Sequence, residues 1–131
     1  MRKITLFAMI LALAAVSGCL KEEGEGGTNS ITGKVYAYDY NAEMTELRAQ
    51  YYAPDEDVYI IYGTDSVPSD RVQTGPTGIY RFDYLQPGTY TVYVMSKNVI
   101  TRLPPEYAVK KTVTIMGNNQ IAVVEDIEIN K

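Results

Sequence analysis

Polar and apolar positions alternate at period two along most of this chain. Tyr80, Phe82 and Leu85 share one face of a first run, and Tyr90, Val92 and Val94 share one face of the next. Ile79, Arg81 and Asp83, then Thr91, Tyr93 and Met95, fall on the opposite side. Such alternation marks a half-buried strand. Between the runs, Pro87 and Gly88 carry turn chemistry. Proline presets the second turn position, and glycine accepts positive φ at the third. The pattern predicts a β-hairpin with Tyr80, Phe82, Leu85, Tyr90, Val92 and Val94 facing inward.

The same periodicity recurs upstream and downstream. Ile31, Gly33, Val35 and Ala37 alternate with Thr32, Lys34, Tyr36, Tyr38 and Tyr40, giving a strand over 31–40 with the smaller apolar set inward. Gly33 within that set signals a close approach. Asn41 can cap a helix, and Met44, Leu47 and Tyr51 recur at helical spacing, which predicts a short helix over 42–50. Pro54 ends it. Further strands are predicted over 57–62, 71–74, 107–116 and 120–130. Lys111 falls in phase with Val109 and Val113, which predicts a bulge. Glu125 is the matching exception among Ile121, Val123, Ile127 and Ile129. Seven short strands separated by turn residues predict an all-β, seven-stranded antiparallel β-sandwich, with the helix inserted between strands one and two.

The first residues obey a different rule. A basic start, Arg2 and Lys3, precedes an unbroken apolar run from Ile4 to Val16. That run is short for a bilayer span and suits the apolar core of a signal peptide. Val16, Ser17, Gly18 and Cys19 follow, and this tetrad resembles the lipobox of bacterial lipoproteins. The resemblance implies cleavage before Cys19 and acyl chains, palmitate among them, on that residue. Each acyl methylene placed in lipid contributes about 0.8 kcal/mol, so several chains hold the protein firmly. The expected division is a leader over 1–18, Cys19 with a glycine-rich acidic tether over 19–29, and the sandwich over 30–131. Lys21, Glu22 and Glu23 resemble the acidic signal that sends some Gram-negative lipoproteins to the outer face of the outer membrane. The same charges read equally well as a solvated linker. The expected residence is therefore the Gram-negative outer membrane, facing the periplasm or the exterior.

Within the domain, Ile31, Gly33 and Val35, then Val58 and Ile60, then Gly78, Tyr80, Phe82, Leu85, Pro87, Gly88, Tyr90 and Val92, and last Asp126, Ile127 and Ile129, resemble the carboxypeptidase regulatory-like family. That likeness implies a transthyretin-like, Greek-key sandwich, and a structural, spacer or ligand-contact role without catalysis. A related group of adhesin repeats forms a Lys–Asn cross-link promoted by a glutamate. Here Val94 occupies the glutamate's position and Lys34 sits too early for the lysine, while Asn130 alone fits; the cross-link is expected to be absent.

Composition narrows the chemistry. There is no histidine in 131 residues, which removes Ser-His-Asp and Cys-His systems and imidazole metal sites. The single cysteine is Cys19. No cofactor motif and no metal-ligand spacing are present, and the chain is expected not to be an enzyme. Without the leader, ten basic side chains face sixteen acidic ones, so neither nucleic acid nor an anionic lipid surface is attracted. Asp55, Glu56 and Asp57 form an acidic loop, read as solvated in preference to a cation site. Twelve tyrosines stand against two phenylalanines. Tyr36, Tyr38, Tyr40, Tyr59 and Tyr93 point away from the expected core and are candidate contacts for a glycan, a small ligand or an envelope protein. Cross-strand pairing, or cover from the 42–50 helix, would account for the same residues. Replacement of Cys19 by Ala is expected to move the protein from the membrane pellet to the soluble fraction; a variant that still sediments with membranes would refute the anchor.

Overall fold

A computed structural model describes residues 22–131. The leader, the lipobox tetrad and Cys19 lie outside the described residues. The domain is all-β, with two sheets packed face to face. The first is built around β1 (Glu25–Tyr40), which pairs antiparallel with β5 (Ile79–Leu85) and β2 (Leu47–Tyr52). It pairs parallel with β8 (Ile121–Val123) and β9 (Ile127–Asn130). β5 and β8 both pair with Ile31 and Thr32, so they occupy opposite edges of β1. The second sheet runs in the order β4 (Asp70–Gln73), β3 (Asp57–Tyr62), β6 (Gly88–Lys97), β7 (Glu106–Ile115), antiparallel throughout.

The core lies between the sheets and is made by the inward half of each alternation. Ile31, Val35, Ala37, Tyr80, Phe82, Leu85, Ile127 and Ile129 come from the first sheet. Val58, Ile60, Tyr90, Val92, Val94 and Ile115 come from the second. The inward set read from the sequence for 80–94 is buried in full.

Several expectations are corrected. The Tyr80 and Tyr90 runs do not form a hairpin: β5 bonds to β1 and β6 bonds to β3 and β7. The 85–88 turn is an arch that carries the chain from one sheet to the other. Both runs face the same core, so their inward phase is identical whether they pair or not. No helix forms over 42–50. Met44 turns left-handed at φ 59°, and residues 47–52 fold back on β1 as a strand, with Tyr52 opposite Tyr36. The Asn41 side chain accepts bonds from the Thr45 and Glu46 amides, as a helix cap would, but closes a hairpin loop instead. That extra strand, together with the split of the last one at 124–126, makes nine strands rather than seven. The parallel pairs make the first sheet mixed rather than antiparallel.

The boundary at residue 30 also moves. β1 starts at Glu25, so residues 25–29 belong to the sheet and not to a free tether. Gly27 is small because the Leu85 carbonyl lies against its backbone, where a Cβ would collide. Gly33 is small because Tyr80, its cross-strand partner, lays its hydroxyl end over it. Lys111 causes no bulge. The β6–β7 register is continuous, and Lys111 reaches Glu125 at 3.7 Å, so the two exceptions to phase meet.

Two buried phenols hold the sheets in opposite ways. The Tyr90 hydroxyl donates to the Gln86 carbonyl at 2.6 Å and accepts from the Gly24 amide at 3.0 Å. It thus closes the arch and ties down the start of β1. The Tyr80 hydroxyl is buried without a partner, and burial pushes its pKa up. Tyr90→Phe is expected to lower unfolding stability by about 1–3 kcal/mol, because a buried amide and carbonyl lose their partner. Tyr80→Phe is expected to be neutral or stabilising, because it removes a desolvated hydroxyl. Urea titrations check both. The unfolded chain ionises its tyrosines at about pH 10 while folded Tyr80 stays protonated. Its contribution is therefore complete below that pH and falls as pH climbs toward the folded value; Tyr80→Phe should flatten this alkaline loss.

Candidate functional site

The outward half of the β1 alternation lines the outer wall of the first sheet. The strand register fixes which neighbours meet there. Tyr36 lies between Tyr52 of β2 and Glu128 of β9. Tyr38 lies between Gln50 and Asn130. The Tyr36 ring meets the Tyr52 ring edge-on at 5.0 Å and the Tyr38 ring edge-on at 5.4 Å. These three make a contiguous aromatic row. The Lys34 ammonium stands 5.0 Å from the centre of the Tyr52 ring. Edge-on geometry and a cation over a ring face both follow from the ring quadrupole.

The hydroxyl tips are fixed by carboxylates. Tyr38 donates to Glu128 at 3.1 Å and Tyr52 donates to Asp126 at 3.0 Å. Each phenol's pKa is raised, first because the bond to the carboxylate is lost on ionisation. A raised value is the opposite of what a tyrosine nucleophile or general base needs. The row therefore presents neutral rings, fixed donors and acceptor carboxylates. Beside it lies a shallow depression of 190 Å³, lined by Thr32, Ile79, Val123 and Val124 together with Lys34 and Asp126. That is smaller than the ~300 Å³ at which drug-sized pockets begin, and leaves room for about one ring-sized group.

The five candidate tyrosines do not form one surface. Tyr36, Tyr38 and Tyr40 share the first sheet's outer wall, and Tyr40 sits further along it opposite Leu47. Tyr59 and Tyr93 are register partners on the second sheet, stacked at 5.0 Å with an interplanar angle of 16°. A stacked pair covers one face of each ring, which is the cross-strand pairing expected as the plainer account of these residues. The 42–50 segment hides neither group as a helix would. Tyr52 and its carboxylate partner were missed in the sequence, because Tyr52 followed a segment read as helix. Glu128 was legible, since it alternates with Ile127 and Ile129 and must face outward.

The acidic loop disperses its charges. Glu56 pairs with Lys131 at 2.5 Å, and Asp57 accepts from Gln73 at 3.3 Å. Among the described residues, no three potential ligands gather as a metal site requires. Lys34 lies on the outer wall above Tyr52, whereas the Asn130 amide reaches the Lys97 carbonyl at 3.5 Å, so this lysine and this asparagine have different surroundings. A second hollow of 320 Å³ opens between the 41–46 and 98–105 loops, where Arg102 donates to the Glu43 carbonyl at 2.7 Å.

No protein-family model matches the chain, and no curated protein matches it. Among solved structures, a provisionally named carbohydrate binding protein from Pseudomonas aeruginosa is similar over 82% of this chain and 91% of its own. The identity is 14% and the TM-score 0.43. At that score the likeness bears on neither the site nor the function.

Glu128→Gln should lower the Tyr38 pKa toward its ordinary value, and Asp126→Asn should do the same for Tyr52. Ultraviolet titration of tyrosinate checks this: each variant should gain one earlier-titrating phenol. An unchanged titration would mean that the two bonds do not form in solution.

Proposed function

We propose that this chain is a lipid-anchored, non-catalytic module of a Gram-negative cell envelope, and that it recognises its partner with the outer wall of the first sheet. The anchor rests on the tetrad ending at Cys19. The absence of catalysis rests on a sequence without histidine and on phenols held away from ionisation. The likeness to the carboxypeptidase regulatory-like family supports the same class, since such domains serve as spacers and contact modules. One observation carries the recognition surface: Tyr52, Tyr36 and Tyr38 form an unbroken row flanked by Lys34, Asp126 and Glu128.

A glycan is the ligand this chemistry suits best. The C–H faces of a sugar ring stack on aromatic rings, and its hydroxyls donate to carboxylates and accept from an ammonium. An envelope protein is the second reading, because tyrosine-rich walls also anchor protein interfaces. A glycan array with the soluble domain, followed by calorimetry on the hits, tests the choice. Tyr36→Ala and Tyr52→Ala should each weaken binding by roughly tenfold, which is about 1.4 kcal/mol. Tyr59→Ala, on the opposite sheet, should leave it unchanged. Binding lost equally in all three variants, or no glycan bound at all, would overturn the glycan reading.

A further inference from the structure

The start of the described chain is fixed to the domain with little slack. The Gly24 amide bonds to the Tyr90 hydroxyl, and the Gly24 carbonyl accepts from the Gln86 amide at 2.8 Å. The Glu23 side chain lies against Gly88, where a Cβ would collide with it, and close to Gly63. Three residues lie between Cys19 and Glu23, and even fully extended the four Cα–Cα steps reach about 14 Å. The register shows which end of the sandwich this is. Gly88 and Tyr62 lie there, with the 63–69 loop, the 86–87 arch and the 116–120 turn. The 41–46 and 98–105 loops lie at the other end of β1, nine residues and roughly 30 Å beyond Ile31.

We propose that this end is a foot held against the bilayer that carries the Cys19 lipid, an inference that rests on the anchor argued above. A leash of ~14 Å is shorter than a small protein domain is wide, so no folded partner fits beneath the foot. The occupant is the lipid surface itself. Val67 is 66% exposed and Met116 84% exposed, at the tips of the two loops that flank the pinned segment. Apolar tips so placed suit the headgroup boundary. Glu22, Glu25 and Asp65 are exposed on the same end, so the contact fits neutral headgroups and is opposed by anionic ones.

The test uses the full lipidated protein in phosphatidylcholine vesicles that carry a headgroup quencher. A dye is attached at Ser66→Cys on the foot or at Ile100→Cys on the far end. Quenching should be several-fold stronger at 66 than at 100. Lengthening the tether after Lys21 by about ten Gly and Ser residues adds up to ~35 Å of reach and should abolish the difference. Phosphatidylglycerol in place of phosphatidylcholine should weaken quenching at 66 at low salt. Flotation with the vesicles but equal quenching at both positions, or no response to the longer tether, would sink the leash alone. Failure of the unaltered chain to float, with Cys19→Ala behaving the same, would sink the anchor and the leash with it.

Discussion

Everything in the first sheet hangs on β1. A strand has two edges, and β1 uses both: β5 and β2 take one, β8 and β9 the other. Each of those four strands therefore takes its register from β1 alone. Because side chains alternate, a slip of one residue in β1 would exchange its two faces. Ile31, Val35 and Ala37 would leave the core, and Lys34, Tyr36 and Tyr38 would enter it. The core and the tyrosine row are thus two outcomes of one alternation. Burial of the aliphatic half fixes where the aromatic half stands, and that is how a stability constraint positions the candidate surface.

The tyrosines show how one residue type serves three ends. Tyr90 uses its hydroxyl to satisfy backbone groups at the arch and at the start of β1. Tyr80 uses its ring to fill the space that Gly33 leaves, and its hydroxyl is a net cost. Tyr38 and Tyr52 use their hydroxyls to hold carboxylates beside the rings. A phenylalanine could replace only the second without loss. Among the described residues the hydroxyls of Tyr38, Tyr51, Tyr52 and Tyr90 donate to polar groups, which phenylalanine could not do.

The sequence disclosed faces better than partners. Alternation told that Tyr80, Phe82, Tyr90 and Val92 point inward, and they do. It was silent on which strand each run would bond to, because an arch and a hairpin place the same residues in the core. Pro87 and Gly88 were read as joining neighbours when they join opposite sheets. Local chemistry misled at Asn41, whose side chain binds the Thr45 and Glu46 amides as a cap does, though the chain beyond turns back as β2. Register with β1 outweighed the helical spacing of Met44, Leu47 and Tyr51. Gly27 looked like tether because glycine signals both freedom and close approach, and only the Leu85 carbonyl decides between them. The candidate row was half legible: Lys34, Tyr36 and Tyr38 share one face of a single alternation, whereas Tyr52 and Asp126 join them through pairings that no local pattern encodes.

The position of the row suits the proposed anchor for a geometric reason. It lies on a side wall, along β1, rather than on the loops at either end. An end surface is useful only when it points away from the membrane. A side wall stays open to partners approaching along the membrane plane, however upright the domain stands. The carboxylates of that wall also matter in context. Glu128 and Asp126 sit in a protein with an acidic surplus, so their retention is opposed by self-repulsion. The bonds from Tyr38 and Tyr52, with Lys34 close by, offset that repulsion locally. Two acids beside three rings set acceptors next to apolar faces, and that pairing is the chemistry on which the proposed glycan reading draws.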